Sequence, residues 1–136
     1  MNAIDTNVLI YTIDVGDAGK RRRSLELIES LPESETIIPW QVACEVGAVL
    51  RKMERLGRFR GDYESTVSAL RCCFPIALPG VGVLSRAARI EADTQVSPWD
   101  ALLLAACAEA GVTKLFTEDI QSRRVVEGVT IVTPFE

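Results

Sequence analysis

Short apolar segments alternate with longer segments of helical periodicity, and this alternation constrains the fold more than any other feature of the chain. The short segments, residues 2–4, 36–38, 76–78, 114–117 and 129–132, have the length and composition of strands. Strands that alternate with helices form a parallel sheet that is covered on both faces. The sequence therefore predicts a three-layer α/β/α fold around a central parallel sheet of four to five strands, within a single domain spanning residues 1–136.

The helices are predicted from apolar stripes at helical spacing and from their flanking residues. They are expected after the first strand and at 18–31, 40–56, 62–74, 81–92 and 98–108. Leu25, Leu56 and Leu84 fall on these stripes and are expected to face the core. Glu45 falls beside the stripe of its helix and is expected to face partly inward, whereas Arg51 falls on the far side.

Composition excludes several classes of chemistry. The chain has no histidine, which removes imidazole bases, Ser-His-Asp systems and nearly all zinc sites. A net charge of −4 argues against nucleic-acid binding through bulk electrostatics. No signal peptide or membrane span is expected, so a cytoplasmic location is predicted. The four cysteines are accordingly expected to be reduced, buried thiols: Cys44, Cys72, Cys73 and Cys107.

Acidic residues stand where these elements begin or end. Asp5 follows the first strand, Glu45 lies in the helix after the second, Asp100 opens a buried helix, and Asp119 follows the fourth strand. Each has a simpler explanation. Asp5 suits a helix N-cap, Glu45 a salt bridge or a solvated position, and Asp119 a turn.

Asp100 has the most specific alternative explanation, because Ser97 suits an N-cap and Pro98 the first position of a helix. These separate explanations do not account for the common position of the acids, since the carboxyl ends of parallel strands share one edge of the sheet. Clustered carboxylates repel one another unless a cation neutralises them, and oxygen-only ligands suit Mg²⁺ or Mn²⁺. A metal in such a site favours phosphodiester hydrolysis.

The same segments resemble the PIN domain family. The resemblance lies in I-D-T-N-V-L-I at 4–10, the inward Glu45, P-W-D-A-L-L-L-A-A at 98–106, L-F-T-E-D-I at 115–120 and the ending at 128–135. Within that family, the order and spacing are most similar to the single-domain VapC-type toxins of bacterial toxin–antitoxin pairs.

The resemblance implies a role for each matching residue. Asp5, Glu45, Asp100 and Asp119 match the acidic quartet that binds Mg²⁺ or Mn²⁺ for endoribonuclease cleavage, with Glu118 as a possible substitute for Asp119. Thr6, Asn7 and Thr117 match polar residues that support the acids. The resemblance also implies an RNA substrate, a small cognate antitoxin that covers the acidic groove, and a homodimer.

Two further features of the sequence each have two explanations. The basic residues Arg21, Arg22, Arg23 and Arg51 either contact RNA phosphates or form solvated helix faces. Trp40 and Trp99 either stack on bases or pack in the core, and core packing is favoured.

Three alternative functions remain open from the sequence. One is a PIN-domain nuclease outside a toxin–antitoxin pair. A second is a receiver-like signalling or scaffold domain that binds Mg²⁺ without catalysis, but Lys114 precedes its strand, whereas a receiver needs a lysine after a late strand. The third, a haloacid-dehalogenase-type phosphatase, needs D-x-D after the first strand, where this chain has Asp5-Thr6-Asn7.

Overall fold

A single mixed sheet forms the centre of the molecule, in a computed structural model that describes residues 1–136. Its order is β3-β2-β1-β4-β6-β5. The strands are β1 (Asn2–Ile4), β2 (Thr36–Pro39), β3 (Ile76–Ala77), β4 (Lys114–Phe116), β5 (Val125–Val126) and β6 (Val129–Val132). All neighbouring strands pair in parallel except β5, which pairs antiparallel with β6.

Helices flank this sheet, which confirms the predicted fold class. They are α1 (Thr6–Tyr11), α2 (Ala18–Ser30), α3 (Trp40–Arg55), α4 (Tyr63–Cys72), α5 (Gly82–Thr94) and α6 (Pro98–Glu109), with a 3₁₀ turn at Glu33–Glu35. Helix α1 packs against α2 and α3, α3 packs against α4, and α5 packs against α6. No helix is both long and apolar enough to cross a membrane.

The strand count is the first difference from the prediction, because the sheet has six strands and one of them is antiparallel. The additional strand, β5, was not predicted because it has only two residues and Val125 is exposed. A segment so short shows no alternation of apolar and polar residues. Gly128, with a φ of 80°, makes the tight turn from β5 into β6.

The core is built from the central strands and the helices that cover them. Ile4, Leu115 and Ile131 are fully buried in the strands, and Leu9 and Leu104 are fully buried in α1 and α6. Complete burial of a leucine or isoleucine side chain contributes about 1.5–3 kcal/mol to stability. The central position of β1 therefore fixes Asp5, the residue that follows it, at the middle of one sheet edge.

Several predicted core residues are instead exposed. Leu25, Leu56 and Leu84 have exposed fractions of 38%, 62% and 69%. Leu56 lies just past the end of α3, so the helical periodicity that predicted its burial no longer applies there. Leu25 and Leu84 lie at the edges of their stripes, where a helix contacts its neighbour through only part of its surface.

The tryptophans and three of the four cysteines also differ from the prediction. Trp40 and Trp99 are 48% and 68% exposed, because they occupy the first and second positions of α3 and α6, beyond the layer that covers the bodies of these helices. Cys44 and Cys72 are exposed and Cys73 is half-buried, so only Cys107 is a fully buried thiol.

Candidate active site

The register between β1 and β4 brings Asp5 next to the segment that carries Asp119. Ile4 is paired with Phe116, so the next residues, Asp5 and Thr117, leave the sheet side by side. The backbone N–H of Asp5 donates to the carbonyl of Phe116 at 3.0 Å. The Thr117 hydroxyl, which is fully buried, donates to Asp5 Oδ2 at 2.7 Å.

Asp5 is a buried carboxylate and also the N-cap of α1. Its Oδ1 accepts a hydrogen bond from the Thr6 N–H at 2.7 Å, as the capping explanation predicted. Burial raises the pKa of Asp5 to about 6, and the nearby charges of Asp119 and Glu45 add to this increase. The hydrogen bonds from Thr117 and Thr6 partly oppose it. Asp5 therefore both caps α1 and belongs to the acidic cluster.

Glu45 reaches the cluster from α3, which begins directly after β2. Its Oε2 accepts from the Thr6 hydroxyl at 3.1 Å, and its Oε1 accepts from Gln41 Nε2 at 3.3 Å. Gln41 also donates to the carbonyl of Trp99 at 3.1 Å, which ties α3 to the first turn of α6. Glu45 forms no salt bridge with an arginine, so this alternative explanation of its position does not apply. Gln41 was not singled out in the sequence, although its spacing of four from Glu45 is the signal that points to it.

Asp100 lies in the first turn of α6, where Ser97 is the N-cap. The Asp100 N–H donates to Ser97 Oγ at 3.1 Å, and Pro98 occupies the first helical position, as the sequence predicted. Burial raises the pKa of Asp100, with smaller contributions from the charges of Asp119 and Glu45, while the Ser97 hydrogen bond lowers it. The cap therefore holds the residue in place and does not remove it from the cluster.

Asp119 and Glu118 are adjacent in sequence but have different surroundings. Asn7 Nδ2 donates to Asp119 Oδ2 at 3.0 Å, and the Asp119 N–H donates to the Thr117 hydroxyl at 3.1 Å. Glu118 instead accepts from Lys20 Nζ at 2.6 Å and from the Tyr11 hydroxyl at 2.5 Å. The geometry therefore favours Asp119 over Glu118 as the member of the acidic cluster, since Glu118 is neutralised by a lysine.

The cluster lacks a cation of its own. None of its four acids takes part in a salt bridge, and the charges of Asp119 and Glu45 raise the pKa values of both Asp5 and Asp100. In this arrangement the side chains do not converge on one point, and no three acids are close enough to hold an ion together. Hydrogen bonds from Thr117, Thr6 and Gln41 engage the oxygens of Asp5 and Glu45 in this arrangement.

The donor set nevertheless fits a hard divalent cation. All of its ligand atoms are carboxylate oxygens, the donors that Mg²⁺ and Mn²⁺ prefer. The Asn7 Oδ1 oxygen, which belongs to the same network, is buried and has no hydrogen-bond partner. A buried acceptor without a donor costs about 1–3 kcal/mol, which a cation or its water shell would offset.

The basic residues proposed from the sequence lie apart from the acids. Arg21 donates to the carbonyl of Thr12, Arg23 donates to the carbonyl of Glu136, and Arg22 pairs with Glu26 at 3.9 Å. Arg51 pairs with Glu54 at 2.9 Å and lies 3.5 Å from the centre of the Tyr63 ring. None of these four arginines contacts an acid of the cluster, and their contact with RNA stays a prediction.

Comparison with protein families gives one match that covers nearly the whole chain. The model of the PIN domain matches residues 3–128. No curated protein matches the chain by sequence.

Several solved structures resemble the chain over most of its length. A toxin–antitoxin complex from Klebsiella pneumoniae has a TM-score of 0.74 and 22% identity, over 100% of this chain and 99% of that chain. The sarcin–ricin loop cleaving toxin VapC20 of Mycobacterium tuberculosis has a TM-score of 0.68 and 17% identity, over 88% and 90% of the two chains. DNA-bound VapBC from Salmonella typhimurium has a TM-score of 0.68 and 17% identity, over 98% and 97%. At these identities the likeness is one of fold.

Proposed function

The chain belongs to the PIN domain family, and from this premise we propose that it is a metal-dependent endoribonuclease and the toxin of a toxin–antitoxin pair. The observation that carries the proposal is the cluster of four carboxylates at the carboxyl edge of β1 and β4, which has no cationic side chain to neutralise it. Residues 1–136 form a single PIN domain in this proposal.

Each acid has a defined place in the proposed metal site. Asp5, Asp100, Asp119 and Glu45 would hold Mg²⁺ or Mn²⁺, with Thr6, Asn7 and Thr117 orienting their oxygens. The ion, when bound, neutralises the carboxylates and supplies a Lewis acid that polarises the substrate phosphate. The hydroxyl of Thr117 has a particular position in this network, because it contacts Asp5, Asn7 and the backbone of Asp119.

The proposed reaction is hydrolysis of an RNA phosphodiester. A water molecule attacks phosphorus in line with the 3′ oxygen, and the bond from phosphorus to that oxygen breaks. One proton of the water passes to a carboxylate of the cluster, which acts as the general base. The departing 3′ oxygen takes up a proton from solvent water, so the products carry a 5′-phosphate and a 3′-hydroxyl.

The substrate class is supported by the structural neighbours. VapC20 cleaves the sarcin–ricin loop, and the Klebsiella pneumoniae structure is a toxin–antitoxin complex. RNA is therefore the substrate that we propose, and the cytoplasm is the compartment that such a substrate implies. The receiver-like alternative gains no supporting observation, since Lys114 begins β4 at the opposite edge of the sheet from the acids. The phosphatase alternative lacks the second aspartate of D-x-D, because Asn7 stands in its place.

Two protein partners belong to the proposal. The first is a small antitoxin, whose basic segment would complement the uncompensated acids of the cluster. The second is another copy of this chain. An apolar groove of about 420 Å³ lies between α3, α5 and α6, next to the exposed side chains of Val81, Leu84 and Trp99. An uncharged apolar surface does not repel its own copy, which suits the self-complementary contact of a twofold dimer.

The proposal is tested by expression of matched variants in bacterial cells, with growth and RNA cleavage as the two measurements. We expect Asp119→Asn to abolish both growth arrest and cleavage, because its carboxylate belongs to the cluster. Glu118→Gln is the control, since Glu118 is paired with Lys20, and it should retain both. An Asp119→Asn variant that cleaves RNA as the unmodified chain does would refute the proposed function.

A further inference from the structure

A groove leads from the acidic cluster along the surface between α1 and α3. Its inner end is lined by Thr6, Asn7, Glu45 and Asp119, which places the groove in direct continuity with the proposed active site. The groove has a volume of about 340 Å³, which lies within the range of sites that take a small ligand.

The outer end of the groove contains two cationic residues with different surroundings. Arg58 pairs with the buried carboxylate of Asp14, at 2.5 Å from Nη2 to Oδ2 and 3.3 Å from Nε to Oδ1. Its charge is therefore neutralised. Lys52 is exposed, forms no salt bridge and donates no hydrogen bond to the protein. Lys52 is thus the cation of the groove that has no ion-pair partner.

The wall between the two ends is apolar. It is formed by Ile10, Val49, Met53 and Leu56, and Leu56 is 62% exposed although it is a large apolar residue. An apolar wall with a cation at one end and a metal-binding carboxylate cluster at the other has the surfaces that a nucleotide requires. The base and ribose would pack on the wall, and a phosphate would contact the cation.

Glu45 and Lys52 are positioned to contact two successive parts of one RNA strand. They lie seven residues apart in α3, which is about two turns and about 10 Å along one face of the helix. Arg51 is adjacent in sequence but faces Glu54 and Tyr63 on the other side. The structure therefore favours Lys52 over Arg51 as the basic residue of α3 that reaches a substrate.

We propose that this groove binds the nucleotide next to the scissile phosphodiester, and that Lys52 holds the phosphate of that nucleotide. Lys52 is a positioning residue in this account, because it fixes the strand and takes no part in bond breaking. The inference rests on the proposed ribonuclease function and adds the path by which single-stranded RNA leaves the acidic cluster.

The test measures binding to a short, mixed-sequence single-stranded RNA by fluorescence anisotropy, as a function of salt. All proteins carry Asp100→Asn so that the RNA stays intact. We expect Lys52→Ala to weaken binding about tenfold and to reduce the slope of log K against log salt by about 0.7, the effect of one lost phosphate contact on a single strand. Lys52→Glu should weaken binding further, and Lys52→Arg should restore most of it.

Arg55→Ala is the matched control, because Arg55 is an exposed cation in the last turn of the same helix but does not line the groove. It should leave the salt slope close to that of the parent. Equal affinities and slopes for Lys52→Ala and Arg55→Ala, in a parent protein that binds RNA, would overturn this inference and leave the proposed function intact. A parent protein without RNA affinity would overturn both.

Discussion

At the scale of one residue, burial of the Asp5 carboxylate in the proposed active site lowers the stability of the folded chain. Its pKa is raised from 3.8 to about 6 by burial, so the folded chain binds a proton more tightly than the unfolded chain does. In metal-free protein, the free energy of unfolding should therefore fall as the pH rises from about 4 to about 6, and then stay level. The loss from this one group is about 3 kcal/mol.

Asp5→Asn should remove this cost. At pH 8 and without divalent ions, we expect the variant to be about 2–3 kcal/mol more stable than the unmodified chain in urea denaturation. At pH 3 the difference should disappear. Asp62→Asn is the control, because hydrogen bonds from Ser65 lower the pKa of Asp62, so its substitution should not stabilise the chain. A variant at position 5 that is less stable at both pH values would contradict the account.

Thr117 tests the network that holds the acids. Thr117→Val keeps the shape of a fully buried side chain but removes the hydroxyl that contacts Asp5, Asn7 and the Asp119 N–H. We expect Mn²⁺ affinity, measured by calorimetry, to fall by about tenfold or more. Thr113→Val is the control, since the Thr113 hydroxyl only donates to the Met1 carbonyl. Equal affinities in the two variants would show that the hydroxyl does not position the acids.

At the scale of secondary structure, the capping of α6 links helix stability to the site. Ser97→Ala removes the acceptor for the Asp100 N–H, which should cost about 1 kcal/mol of stability. It should also lower Mn²⁺ affinity, because Asp100 lies in the turn that the cap holds. Asp62→Ala removes the equivalent cap of α4 and should lower stability without changing the affinity. Unchanged Mn²⁺ affinity in Ser97→Ala would show that the Ser97 cap does not position Asp100 for metal binding.

The elements that position the site were predictable because their signals are local. Ser97 and Pro98 predict the start of α6, and the apolar segment before Asp5 predicts the end of β1. The antiparallel strand β5 was not predictable, since it is defined by its pairing with β6 and not by its own two residues. The hydrogen bond of Gln41 to the Trp99 carbonyl likewise depends on how α3 meets α6.

At the scale of the whole molecule, the exposed apolar side chains were the least predictable feature. Helical periodicity places Leu84 on an apolar stripe, but only the packing of α5 against α6 determines which part of that stripe is covered. Trp99, for which core packing was favoured over base stacking, is likewise exposed. Periodicity identifies apolar faces, but whether the chain itself or a partner covers them depends on tertiary contacts.

The exposed apolar face leads to a prediction about assembly. If the face mediates self-association, Leu84→Lys should convert a dimer to a monomer without lowering thermal stability at low protein concentration, because the side chain is 69% exposed. Light scattering coupled to size exclusion measures the mass. Ser85→Lys adds the same charge at an exposed neighbouring position outside the groove and should remain dimeric. A monomeric unmodified chain, or a dimeric Leu84→Lys variant, would exclude this face.

In vitro cleavage of total cellular RNA tests most directly whether the acidic cluster is a metal-dependent ribonuclease site. Purified chain should give discrete products with Mg²⁺ or Mn²⁺, and their ends should be 5′-phosphate and 3′-hydroxyl. EDTA and Asp100→Asn should each abolish these products. Products that persist in EDTA, or that Asp100→Asn forms as readily as the unmodified chain, would contradict the assignment of the cluster as a metal-dependent active site.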